Sequence, residues 1–212
     1  MVFKITEYET MSAVKKQTLV SEQDYLAGEL GSPVRHEYLG GYIHAMAGSS
    51  NRHSIIEANF MISLGTKLNG QPCRPFSSNA KIRITLPNQI RFYYPDVSVI
   101  CRQNPQTDSF QESPVVIVEI LSHSTRRTDT GEKLRDYLTL PSLLVYLLVE
   151  QEEPVVVAHR RSAEGFVREV YAGMQTVIPL PEVGINLTLS EIYNQVEFAP
   201  EHHPDDSNSN DS

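Results

Sequence analysis

The order helix, hairpin, helix, three strands, helix, further strands predicts a mixed α/β domain built on one central sheet flanked by helices. Three observations carry that expectation. His53, Ile56, Phe60 and Leu64 form one stripe of a long helix ahead of the strands. Runs such as PVVIVEILS (114–122) are too short and too β-branched for helices. The chain, 212 residues and 40% hydrophobic, is long enough to bury one sizeable core.

The elements follow in order. In VSEQDYLAGEL (20–30), Ser21 reads as the cap of a short helix ending near Gly28 or Gly31. HEYLGGYIHAMAG (36–48) places β-formers around Gly40-Gly41, a hairpin signal. The long helix lies in SSNRHSIIEANFMISLGTKLNG (49–70), between Ser/Asn residues and Gly70. NAKIRIT (79–85), RFYYPDVSVIC (91–101) and PVVIVEILS read as three strands. In DTGEKLRDYLTL (129–140), Asp129 and Glu132 have capping-box spacing before an apolar face of Leu134, Tyr137 and Leu138. LLVYLLVE, PVVVAHRR, GFVREVYAG and TVIPL complete the strands. The expected division is an N-terminal segment 1–18, one domain 19–196 and a disordered acidic tail 197–212, whose His202 and His203 receive no role.

No apolar run approaches the ~18 residues that span a bilayer, and MVFKITEYET lacks the basic-then-apolar order of a signal peptide, so a soluble cytoplasmic protein is expected. Cys73 and Cys101 are expected as two reduced thiols near strand ends. The formal charge of −8 would argue against a polyanion partner, but Glu197, Glu201, Asp205, Asp206 and Asp211 supply five of those charges and leave −3 for residues 1–196. Nucleic acid therefore stays open as a partner.

Alternation puts Asp96, Ser98 and Ile100 on one strand face and Val115, Ile117, Glu119 and Leu121 on one face of another. A buried carboxylate needs a cation, a set of donors or a metal ion. If the two strands are neighbours, Asp96 and Glu119 converge on a hard divalent cation, for which Mg²⁺ is the natural candidate. The competing reading is that each carboxylate only caps a turn or pairs with arginine.

YPD at 94–96, VVIVEILS at 115–122 and GEKLRDYLTLPSLLVYLLVEQ at 131–151 together resemble the Uma-type endonuclease-like family of the PD-(D/E)xK nuclease superfamily, over roughly residues 19–195. The resemblance implies a restriction-endonuclease-like α/β core, a Mg²⁺- or Mn²⁺-dependent endodeoxyribonuclease activity on nucleic acid, DNA above all, and a homodimer. It makes Asp96 and Glu119 metal ligands. The superfamily's lysine two residues after the acidic position is replaced here by Leu121, and the family's relocated lysine matches Lys133. Lys133 shares a helix row with Tyr137, which sets it at the edge of the core-facing side. Lys81 is the second candidate, and Asn79 stands where the family commonly has an acidic residue. Glu37 matches an acidic residue that assists metal binding, and His53 a histidine at the start of the long helix, where a satisfied core histidine is the alternative. Ser122, Arg126 and Arg127 are candidate phosphate contacts, against turn capping and solvated charge. The alternative function is a nuclease-like binding or regulatory module with little turnover.

Overall fold

The computed structural model describes residues 19–46 and 48–198. Ser21 is extended and its hydroxyl accepts the Asp24 amide at 3.1 Å, so α1 (Glu22–Glu29) begins where the cap signal sets it. β1 (His36–Leu39) and β2 (Tyr42–Ala45) pair through Gly40 and Gly41, whose φ angles of +59° and +104° are ones that side chains disfavour. Ser50 caps α2 (Asn51–Lys67) by accepting the His53 amide, and the predicted stripe of Ile56, Phe60 and Leu64 is buried.

In place of one central sheet there are two large ones. β3 (Arg74–Ser77), β6 (Val97–Ile100), β8 (Pro114–Ile120), β9 (Val145–Val149), β10 (Val155–Ser162) and β11 (Gly165–Ala172) form a six-stranded mixed sheet in the order β11-β10-β9-β8-β6-β3. β4 (Lys81–Leu86), β5 (Gln89–Tyr93) and β7 (Phe110–Gln111) join the hairpin in a five-stranded sheet, β2-β1-β5-β4-β7. β12 (Val177–Leu180) and β13 (Ile185–Thr188) pair separately, ahead of α5 (Leu189–Ile192). The reason for the division lies in RFYYPDVSVIC, expected as one strand. Pro95 has no amide to donate, so β5 ends at Tyr93 and the chain crosses through Tyr94-Pro95-Asp96 into the other sheet as β6.

The central strands of the six-stranded sheet, β6, β8 and β9, are buried on both sides. α2 and α5 cover one face, where Ile56, Phe60 and Leu64 meet Val97, Val118, Val145 and Leu147. The other face packs Ile117, Leu121, Tyr146 and Leu148 against Ile82, Ile84 and Tyr93 of the second sheet and Tyr137 of the helix α4 (Glu132–Leu138). β8 and β9 are parallel, joined by α3 (Arg126–Asp129) and α4. The capping box expected at Asp129 does not form: Gly131 takes the cap position of α4 with no side-chain hydrogen bond, and Asp129 is buried at the end of α3. A Cβ at residue 131 would stand 2.6 Å from the Arg127 carbonyl, so the break between the helices requires glycine.

The cysteines also depart from expectation, for Cys73 and Cys101 form a disulfide. Antiparallel pairing of Arg74 with Ile100 sets positions 73 and 101 opposite each other, a proximity hidden by 28 residues of sequence separation. No helix among the described residues is long and apolar enough to cross a membrane. The expected tail falls largely on residues 199–212, outside the described residues, as do His202 and His203; the Phe198 ring still packs 5.5 Å from Tyr193.

Candidate active site

The register of β6 on β8 pairs Val97 with Val118 and Ser98 with Ile117, which brings Asp96 opposite Glu119 at one end of the six-stranded sheet. The two strands are neighbours, as the convergence of these carboxylates requires. Asp96 is fixed through both oxygens: Oδ2 accepts the Ile120 amide at 2.7 Å, and Oδ1 lies 3.0 Å from His53 Nε2 in the first turn of α2. Burial alone would lower the His53 pKa, but the hydrogen bond and charge of Asp96 outweigh it and the net shift is upward. The tie gives the half-buried His53 a carboxylate partner on the neighbouring strand end.

Glu119, 3% exposed, faces α4, and Lys133 comes down onto it from the helix. Lys133 is 6% exposed, with Nζ 2.9 Å from Glu37, 3.3 Å from Asp129 and 3.5 Å from Glu119. Burial favours the neutral amine, yet Glu119, Glu37 and Asp129 outweigh it and hold Lys133 charged above its ordinary range. Glu119 moves up as well: loss of solvent raises it, Lys133 offsets part, and Asp129, Asp96 and Glu37 add to the rise. Asp129 is likewise raised by burial, with Lys133 and the Thr125 hydroxyl opposing.

Four carboxylates therefore share one ammonium and one imidazole, an arrangement short of positive charge. Glu37 Oε1 and Asp129 Oδ1 are buried within ion-pair reach of Lys133 but without a well-directed hydrogen bond. Among the described residues no three His, Cys, Asp or Glu side chains are arranged as a ready metal cage. Mg²⁺ does not demand one, since it keeps several waters and takes one or two carboxylates. The all-oxygen donor set at Asp96 and Glu119, with Glu37 beside them, fits such a hard cation.

The cluster lies at the floor of a cleft of about 970 Å³ walled by residues 45, 46 and 48–50, Ser78, residues 119–126, Thr128 and the 151–152 turn. Of the predicted residues, Glu37, His53, Asp96, Glu119, Ser122, Arg126 and Lys133 all line it. Arg127 does not; it is exposed and lies outside the lining. The Ser122 hydroxyl accepts the Thr125 amide at 3.1 Å, so it shapes the turn into α3 as well as lining the cleft. Arg126 is held by Glu150, with Nη1 donating to Oε1 at 2.7 Å. Lys81, the second candidate for the lysine, stands apart among Tyr25 and Tyr94, and Asn79 is an exposed turn residue. Leu121 belongs to the core with Tyr137, so an ammonium there would displace packing that Lys133 leaves intact.

Sequence reasoning missed Asp129, whose spacing to Glu132 reads as a capping box although it also stands i,i+4 to Lys133, and Glu57, which accepts the Ser78 hydroxyl at 2.8 Å on the cleft wall. It also missed Gln151, for which no local signal exists.

A family model named Uma2 and described as "Putative restriction endonuclease" matches residues 22–190. The chain belongs to the Uma2 family. A cyanobacterial relative, "Uncharacterized protein slr1290" of Synechocystis sp. (strain ATCC 27184 / PCC 6803 / Kazusa), is 31% identical over 180 residues, covering 84% of this chain and 94% of its own. A second protein of that strain, "Uncharacterized protein sll1609", is 29% identical over 144 residues, covering 66% and 80%. The crystal structure of a "putative nuclease belonging to DUF820" from Anabaena variabilis ATCC 29413 superposes with a TM-score of 0.63 at 20% identity, covering 79% of this chain and 96% of the other. That likeness shows the fold. The Uma2 membership bears out the resemblance carried by YPD, VVIVEILS and GEKLRDY, and sets the chain among nuclease-like proteins.

Proposed function

We propose that this Uma2 protein is a metal-dependent endonuclease that hydrolyses phosphodiester bonds, DNA being the expected substrate. The observation that carries the reading is the burial of Lys133 among Glu37, Glu119 and Asp129, beside an Asp96 fixed by His53 and the Ile120 amide. Asp96 and Glu119 would hold Mg²⁺ or Mn²⁺, with Glu37 assisting. Bound there, the cation would supply Lewis acidity, activating water and neutralising charge on the phosphate. Lys133 holds its protons through its carboxylate neighbours, so it acts as a fixed positive charge and hydrogen-bond donor toward the attacking water and the phosphate oxygens. His53 keeps the Asp96 carboxylate in one orientation, and the amide of Ile120 occupies its other oxygen. The protein works as a homodimer in this reading, in keeping with the exposed strand edges at β2 and β11.

A second reading, a nuclease-like binding module with little turnover, is favoured by one observation: both Asp96 oxygens are already engaged within the chain. Incubation of supercoiled plasmid, single-stranded DNA and RNA with the protein and Mg²⁺ or Mn²⁺ separates the two. Cleavage by the wild type that falls at least about 10²-fold in both Glu119→Gln and Lys133→Met supports the nuclease. Absence of cleavage on every substrate by folded wild type selects the binding module.

A further inference from the structure

Three consecutive residues, Glu150, Gln151 and Glu152, lie in the turn between β9 and β10, and the last two line the cleft. Glu150 holds Arg126 of α3 through both guanidinium ends, one of them at 2.7 Å. Gln151, 8% exposed, accepts the Ser50 hydroxyl at 3.0 Å and donates to the Leu121 carbonyl at 2.8 Å. Glu152 pairs with Arg52 in the first turn of α2. One turn thus ties the start of α2 to α3 and occupies an arginine on each; Arg126 lines the cleft, and Arg52 stands beside it, paired with the cleft-lining Glu152.

Neither arginine pairs with the buried cluster, whose carboxylates face Lys133 and His53. Among the described residues each pairs with a single carboxylate, and a guanidinium fork that fits a carboxylate fits a phosphate equally well. The two are held unequally: the Glu152 side chain is 76% exposed, whereas that of Glu150 is 16% exposed and grips its partner at two points.

We propose that Arg52 and Arg126 are phosphate subsites for a nucleic-acid strand laid across the cleft, and that Glu150 and Glu152 occupy them until phosphates take the carboxylates' place. The inference rests on the nuclease reading of the cleft and adds to it a pair of contacts and an internal competitor for them. Gln151 keeps the turn anchored while its two neighbours exchange. The floor of the cleft is acidic, so the strand is drawn by the rim, and the rim is masked when the cleft is empty.

The test is fluorescence anisotropy of labelled single-stranded and duplex DNA oligonucleotides in EDTA across a salt series, where binding is read without turnover. Glu150→Gln with Glu152→Gln keeps the shape of the turn and removes its charge; it should bind about three- to tenfold tighter than wild type, with Glu150 giving the larger share. Arg52→Gln and Arg126→Gln probe the same subsites from the other side of each pair, and each should weaken binding and lower the salt slope by about one. Wild type that binds DNA while the double glutamine variant binds no tighter overturns the masking and leaves the nuclease reading standing. DNA bound neither by wild type nor by the double variant, together with no plasmid cleavage, overturns the nuclease reading and this inference with it.

Discussion

Lys133 and Lys81 are almost equally buried, 6% and 4% exposed, and burial pushes both toward the neutral amine. They nevertheless end on opposite sides of an ordinary lysine. Lys133 has Glu37, Glu119 and Asp129 within 3.5 Å and stays charged well above its usual range. Lys81 has aromatic faces, with Nζ 5.5 Å from the Tyr94 ring and 5.8 Å from that of Tyr25, and a long contact of 3.4 Å to the Tyr94 hydroxyl; Glu29 offsets only part of its burial, and its pKa falls. Burial does not distinguish a lysine held among carboxylates from one tolerated in a core. The sign of the surrounding charge does, and in this fold it divides the floor of the cleft from the seam between α1 and the five-stranded sheet.

The comparison breaks first at Lys133. Lys133→Met leaves three buried carboxylates without their cation, and unfolding in urea at neutral pH without divalent ions should show a loss of about 3–5 kcal/mol. A smaller, more diagnostic effect comes from removing both members of one pair. Adding Glu119→Gln to Lys133→Met should recover about 1–3 kcal/mol relative to the sum of the single losses, because the charge stranded by the first change is neutralised by the second. Strict additivity would mean that Lys133 is held by Glu37 and Asp129 alone.

The same contrast explains how much of the molecule the sequence carries. α1, the glycine hairpin and α2 are legible because each is decided locally, by a cap, a turn residue or a stripe of Ile56, Phe60 and Leu64. The division into two sheets is not, since Pro95 marks a break in the strand but gives no indication of which neighbours each half will find. The disulfide is concealed for the same reason, being set by the pairing of β3 with β6. At the site, Asp96 and Glu119 betray themselves as carboxylates in apolar strands, and Lys133 through the family pattern. Asp129 resembles a cap until Gly131 breaks the helix, and Lys81, a rival in the sequence, is removed because Ile82 and Ile84 of β4 face the core with Tyr137 whereas Lys81 faces Tyr25 and Tyr94.

The smallest expected effect is at Lys81, and its pH dependence sharpens the comparison most. Lys81→Met gives up cation–π contact with Tyr25 and Tyr94 but also the cost of burying an ammonium, so stability at neutral pH should change by no more than about 1 kcal/mol. Because the folded-state pKa lies below the unfolded value of 10.5, the folded protein releases this proton first as pH rises. Between the two values the unfolded chain binds more protons, so the wild type gains stability from Lys81 with rising pH and loses that gain as pH falls through the folded pKa. Methionine cannot titrate, and the gain should vanish from the variant. Urea midpoints taken from pH 7 to 10.5 should therefore move in favour of the wild type as pH increases. A constant difference across that range would show that Lys81 keeps its proton as firmly as in water, and a loss of 3 kcal/mol or more at pH 7 would put it, like Lys133, among groups held by opposite charge.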